Sequence, residues 1–336
     1  MNNTAFRDLH RTIDVSTYGK ANIVVSSSPG RRGFRHPICA ACQILNPIQI
    51  SRIEMPFLHH CIAGFCNGMF CFANDKELDE IIYLWNPSIR KYKKLVATRL
   101  THPHDGITVG LAYHSQNNDY KVLRIMSENF FPEDFPTGEK VKPAEAEVYT
   151  LSTDSWRKVI ISVDSLSGSE SHGRVDYIEE RRSTFFNGAL HSIAYSGNHK
   201  FILSFDVNDG RFREIMLPQN YSDEVFPYFQ CLTVFKGSLA LIVLEKYRKY
   251  NILWVMKEYG VVESWTKKSI PMEEVRQIFD YTINGELLIE KDLPGSQFDL
   301  TSLYQEILNV PMHKLIYTAN LVESLVLFDG VNILSE

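Results

Sequence analysis

An all-β propeller is the fold this sequence predicts, and three observations carry the prediction. A glycine turn followed by a short apolar run recurs at Phe186-Asn187-Gly188-Ala189-Leu190, Phe235-Lys236-Gly237-Ser238-Leu239 and Ile283-Asn284-Gly285-Glu286-Leu287, with its glycines 49 (188 to 237) and 48 (237 to 285) residues apart. One four-stranded propeller blade consumes roughly 40–50 residues, so this interval is the length of a blade. Segments rich in Val, Ile, Phe and Tyr, cut by Gly, Asn, Asp and Pro, run the length of the chain, and helical periodicity is nearly absent. A strand at the C-terminal end, Val322 to Phe328, has no sequence neighbour to pair with, and a ring would use it to complete a blade begun by the N-terminus.

Taken in order, Ile23 to Ser27, Cys39 to Leu45 and Ile48 to Met55 give the N-terminal share of that divided blade. Cys61 to Leu95 gives a turn at Asn67-Gly68, strands Met69 to Ala73 and Ile81 to Trp85, a turn at Asn86-Pro87-Ser88 and a last strand from Tyr92. Thr108 to Ile161 gives strands at Val109 to His114, Tyr120 to Met126, Ala146 to Leu151 and Trp156 to Ile161. Three further units begin near Ser183, Phe229 and Phe279. Five units and one shared by the chain ends make six blades, with seven as the alternative. Residues 1–17 form an N-terminal extension and 18–334 the propeller.

In four antiparallel strands the turns after strands one and three lie at one end of the sheet, and the other connections lie at the opposite end. The first set is short throughout: Asn67-Gly68, Ser115 to Asn118, Ser152 to Ser155, Asn187-Gly188, Asn208 to Gly210 and Lys236-Gly237. The long segments, Ala97 to Ile107, Ser127 to Glu145, Ser162 to Arg182 and Gln219 to Tyr228, all emerge on the other face. Long loops on a rigid scaffold are where binding usually resides, so this face is the expected recognition surface.

Composition sets the remaining bounds. Of 336 residues, 44% are hydrophobic and 22% charged, as expected of a folded chain with a substantial core. A net charge of −5 and a pI near 6.1 argue against a phosphate backbone as partner. The opening residues lack an apolar leader and no apolar run approaches the ~18 residues that span a bilayer, which leaves the cytoplasm or nucleus as the expected compartment. Six cysteines in a chain of this size do not make a disulfide scaffold.

Several segments carry a resemblance. Gly64 to Phe72 (GFCNGMFCF), Tyr83 to Leu95 (YLWNPSIRKYKKL), Gly110 to Ile125 (GLAYHSQNNDYKVLRI), Glu147 to Val159 (EVYTLSTDSWRKV), Ile202 to Pro218 (ILSFDVNDGRFREIMLP) and Val322 to Gly330 (VESLVLFDG) resemble the F-box-associated domain of plant F-box proteins, in particular S-locus F-box-like and F-box/kelch types. The resemblance implies a non-catalytic propeller that binds the client protein of an SCF-type ubiquitin ligase, while a separate helical F-box docks on the Skp1 adaptor. No F-box pattern is recognisable from Met1 onward, so adaptor binding is expected only of a longer form. A stand-alone propeller acting as scaffold or decoy is the alternative, and a propeller enzyme a remote one.

Cys39-Ala40-Ala41-Cys42 has zinc spacing but lacks a second knuckle, so no metal or other cofactor is expected. His102, His104 and Asp105 form a polar loop without a third group to orient an imidazole. Phe130, Phe131 and Phe135 alternate with Glu133, Asp134 and prolines, a composition that suits a contact surface. Ser162 to Arg182 reads as a mobile solvated loop ending in the charged run Glu179-Glu180-Arg181-Arg182. These residues of the three long loops are the expected partner-binding set.

Overall fold

The computed structural model describes the backbone of residues 22–27, 38–43, 49–54, 60–74, 81–86, 88–96, 106–128, 142–163, 174–179, 182–197, 199–219, 221, 230–243, 250–271, 275–281, 287–292, 298–302, 307–308, 315–321 and 332–333, and side chains within 62–269 of these. Strands β1 (Asn22–Ser27), β2 (Ile38–Gln43) and β3 (Gln49–Glu54) belong to sheet one. Sheet two holds β4 (His60–Cys66), β5 (Met69–Asn74), β6 (Ile81–Asn86) and β7 (Lys91–Val96), and sheet three β8 (Gly106–His114), β9 (Asp119–Ser127), β10 (Glu145–Thr150) and β11 (Ser155–Val159). Sheet four has a first strand in two pieces, β12 (Tyr177–Ile178) and β13 (Thr184–Phe186), followed by β14 (Ala189–Ser196), β15 (His199–Asp206) and β16 (Phe212–Ile215). Sheet five runs β17 (Gln230–Phe235), β18 (Ser238–Val243), β19 (Tyr250–Met256) and β20 (Trp265–Pro271), and sheet six β21 (Val275–Tyr281), β22 (Leu287–Asp292), β23 (Phe298–Ser302) and β24 (Ile307–Leu308). Near the C-terminus, β25 (Leu315–Leu321) and β26 (Asn332–Ile333) return to sheets one and two.

Pairing within the sheets is antiparallel and, apart from β12 with β14, β25 with β1 and β26 with β7, joins sequence neighbours, the up-and-down order of propeller blades. The chain ends meet as expected, but through a different strand: β25 pairs along β1, from Asn22 opposite Leu321 to Ser27 opposite Leu315. Val322 to Phe328, the expected closing strand, lies outside the described residues. The segment before it is β-branched and aromatic (Ile316, Tyr317, Thr318), a composition that suits a pleated strand equally well. An unexpected fifth strand, β26, lies along β7 with Asn332 opposite Tyr92 and Ile333 opposite Lys91.

The short turns take the backbone that tight hairpins need. Asn67-Gly68, Asn187-Gly188 and Lys236-Gly237 all have φ between 44° and 81°, the two-residue turn whose twist matches that of its strands.

Cores lie between the sheets, because alternation sends successive residues of one strand to opposite neighbours. In sheet four, Leu190, Ala194, Phe201, Leu203 and Phe205 pack against Ala112, Leu123, Ile125 and Val148 of sheet three. Ile193, Ile202 and Ile215 of the same sheet pack against Leu239, Leu241, Trp254 and Met256 of sheet five. Sheets two and three meet through Met69, Cys71 and Leu84 on one side and Leu111, Tyr120 and Val122 on the other. Burial on both faces explains why these strands are almost continuously apolar. It also raises the pKa of the Cys66 and Cys71 thiols well above the usual range, as expected of packing residues.

First strands approach closely where glycine permits. A Cβ on Gly110 would lie 2.8 Å from Ser183 Cβ and 2.9 Å from Leu190 Cδ2, both in the next sheet. The Ser183 amide donates to the Val109 carbonyl at 3.1 Å, joining sheets four and three.

Candidate recognition face

Strand parity places the starts of first and third strands, and the ends of second and fourth strands, on the end of the sheets opposite the short turns. On that face the described residues contain one buried polar network joining sheets four and five. Glu179 stands where the first strand of sheet four breaks between β12 and β13, its amide tied to the Ile193 carbonyl at 2.9 Å. Its carboxylate accepts from the Tyr195 hydroxyl at 2.9 Å and from Gln230 Nε2 at 2.5 and 2.7 Å. Tyr195 is the last but one residue of β14, Lys200 the second of β15 across the turn, and Gln230 opens β17 in the next sheet.

Lys200 completes the arrangement. Its Nζ lies 3.4 Å from Glu179, donates to the Tyr221 hydroxyl at 3.1 Å, and sits over the Tyr195 and Tyr221 rings at 5.2 and 5.1 Å. The Tyr221 hydroxyl in turn donates to Gln230 Oε1. Burial pushes the Glu179 carboxyl above the ordinary range, a shift that Lys200 and the hydrogen bonds from Gln230 and Tyr195 partly offset. Desolvation likewise raises the Tyr195 phenol, and the neighbouring Glu179 raises it further.

Such a network can hold and orient the elements it joins. It ties Tyr221 to Lys200 of sheet four and to Gln230 of sheet five.

A second polar cluster lies toward the short-turn end. His191 Nδ1 is 3.1 Å from the Thr184 carbonyl, which can only accept, so the proton sits on Nδ1 and Nε2 accepts from the Tyr259 hydroxyl at 2.7 Å. Burial lowers its pKa to about 4. Ser204 Oγ is 3.4 Å from the same Nε2, but the group that orients the imidazole is a backbone carbonyl, not a carboxylate, and His191 is fully buried. That combination describes packing, not nucleophilic catalysis. Among the described residues no three His, Cys, Asp or Glu side chains converge as metal ligands would.

A family model described as the F-box associated beta propeller domain matches residues 21–291. The chain belongs to that family. It is 29% identical over 217 residues to an F-box/kelch-repeat protein of Arabidopsis thaliana, covering 63% of this chain and 53% of the relative. It is also 29% identical over 226 residues to an F-box protein of the same plant, covering 62% and 50%. The chain thus spans about half the length of these curated relatives. A solved structure of TolB from Acinetobacter baumannii aligns with a TM-score of 0.49 at 12% identity, over 84% of this chain and 60% of that one.

Within this F-box associated propeller the expected binding residues fare unequally. His102, His104, Asp105, Phe130, Phe131, Glu133, Asp134, Phe135, Glu180 and Arg181 lie outside the described residues. Arg182 is exposed and bridges Val109 of sheet three. Glu179, expected in a mobile solvated loop, is instead nearly inaccessible: its side chain is 4% exposed. The reason is the sequence just before it, where Val175, Tyr177 and Ile178 are buried and β12 pairs with β14, so Arg174 to Glu179 is built into the sheet. Tyr195, Lys200, Tyr221 and Gln230 were missed, since each reads in sequence as an ordinary strand or loop residue.

Proposed function

We propose that this propeller is the client-recognition part of an SCF-type ubiquitin-ligase receptor, working in the cytoplasm or nucleus. The observation that carries the reading is the family match over most of the chain, together with relatives that are F-box proteins. Those relatives are about twice as long as the matched region, so a helical F-box that docks on a Skp1-type adaptor belongs to the full receptor of this reading. The propeller contributes binding and no chemistry of its own; ubiquitin transfer is left to the rest of the ligase. Its client is a protein held on the long-connection face, with Phe130, Phe131 and Phe135 as apolar anchors and the charges of His102 to Asp105 and Glu180 to Arg182 around them. Glu179 takes an internal part in this reading, fixing the floor beneath the contact loops.

The test fuses the chain behind an F-box, reconstitutes the ligase with adaptor and cullin, and follows ubiquitylation of proteins captured from plant extract. Serine at Phe130, Phe131 and Phe135 together leaves folding intact and abolishes capture and ubiquitylation on this reading. A triple variant that still captures and modifies the same client overturns the assignment of the face; a fusion that modifies no captured protein overturns the assignment of the function.

A further inference from the structure

The outer strand of sheet three is an open edge with an unusual surface. In the order β11-β10-β9-β8, β11 is outermost, and among the described residues nothing pairs with its outer side. Arg157 and Lys158 are exposed on it, and Ile160, immediately after it, is 87% exposed although Val159 and Ile161 on either side pack inward. β7 of sheet two shows the same order, exposed Lys94 followed two residues on by Val96 at 65%.

Basic residues on an edge often serve to prevent unwanted pairing. That accounts for Arg157 and Lys158 but not for an isoleucine left in water beside them. Moreover, β7, the counterpart of β11 in sheet two, already carries the added strand β26 against Tyr92 and Lys91. A lysine-bearing outer strand of this ring therefore accepts a further strand.

We propose that the outer edge of β11 is a second interaction surface, which takes an added antiparallel strand from an acidic partner protein. Charge decides the occupant: a second copy of the same edge would set Arg157 and Lys158 against like charges, which disfavours pairing. Alternation decides the pattern. Lys158 and Ile160 share one face of the strand and Arg157 the other, so an antiparallel partner strand places an aliphatic residue opposite Ile160 and acids opposite Lys158 and Arg157, in the order aliphatic-any-acid-acid. Backbone hydrogen bonds give the affinity and these side chains the selectivity.

The experiment uses fluorescein-labelled decapeptides titrated with the full chain and read by anisotropy at low salt. One carries the core Val-Thr-Glu-Glu, one has the glutamates replaced by lysine, and one is N-methylated along the backbone edge that would pair. The first binds, and the lysine and N-methylated forms bind at least tenfold more weakly. Lys158→Glu with Ile160→Thr weakens binding at least tenfold, while Lys268→Glu on the outer strand of sheet five changes it less than twofold. Arg157→Glu alone serves as a second variant should the pair disturb the sheet, with the same tenfold loss expected. Equal binding of the N-methylated peptide, equal losses in the β11 and sheet-five variants, or no binding of the acidic peptide up to a few hundred micromolar overturns the proposal.

Discussion

His191 makes the stability of this propeller depend on pH in a calculable way. The imidazole is fully buried with its Nδ1 proton committed to the Thr184 carbonyl and its Nε2 to the Tyr259 hydroxyl, and burial lowers its pKa from 6.5 to about 4. In the unfolded chain the same ring takes up a proton near pH 6.5, while the folded protein resists until about pH 4. The stability it contributes is therefore fully present above pH 6.5 and is lost as the pH falls toward 4. A difference of about 2.5 pKa units corresponds to about 3 kcal/mol at ~1.4 kcal/mol per unit. Denaturant unfolding of wild type and His191→Gln at pH 7, 6, 5 and 4 isolates the effect, since every other titrating group is common to both. The variant is less stable at pH 7 and the gap narrows by about 3 kcal/mol on reaching pH 4. Parallel stability curves for the two proteins, with no narrowing, would refute the burial argument.

Glu179→Leu leaves Lys200 buried without its carboxylate and costs about 3–5 kcal/mol by denaturant unfolding, whereas Glu179→Leu with Lys200→Met recovers most of the loss, because an apolar pair of similar size replaces a buried ion pair at little net cost. Because the Glu179 carboxyl is raised in the folded state, its own contribution is greatest below the ordinary value of 4.5 and declines as pH rises past it, opposite in sign to that of His191; a Glu179→Gln variant loses that slope in a stability-against-pH series. Gly110→Ala forces a methyl to within 3 Å of Ser183 and Leu190 and lowers stability by about 1–3 kcal/mol, while Gly237→Ala, with open space around it but φ at +73°, costs only the backbone strain of about 1 kcal/mol; calorimetry orders the two.

The sequence made the scaffold legible because a propeller repeats its local rules. Turns at Asn67-Gly68, Asn187-Gly188 and Lys236-Gly237 could be read directly, since only a few residue types accept the left-handed backbone those hairpins require. Closure was legible as a need but not as a location: both Leu315–Leu321 and Val322 to Phe328 have strand composition, and which one pairs with β1 is decided by ring geometry that no local pattern records. The fifth strand β26 is two residues long, too short for any periodicity to announce it.

The candidate recognition face was harder to read for a physical reason that Glu179 makes plain. In sequence it begins a run of four charges, Glu179-Glu180-Arg181-Arg182, and a charge run ordinarily marks solvent. What buries the first of them is a set of partners drawn from positions 195, 200, 221 and 230, brought together only when β14 turns into β15 and when sheet five docks on sheet four. A buried carboxylate is tolerable only with such partners, so its burial is a property of the assembled ring and not of its own segment. The same assembly converts the break between β12 and β13 from an interruption into an anchor. With the strand released at Glu179, the chain crosses to sheet three, where Arg182 bridges Val109 and Ser183 donates to the Val109 carbonyl, before pairing resumes at Thr184. One short detour thus ties sheet four to sheet three through its backbone and to sheet five through a carboxylate, at the end of the ring from which the long connections leave.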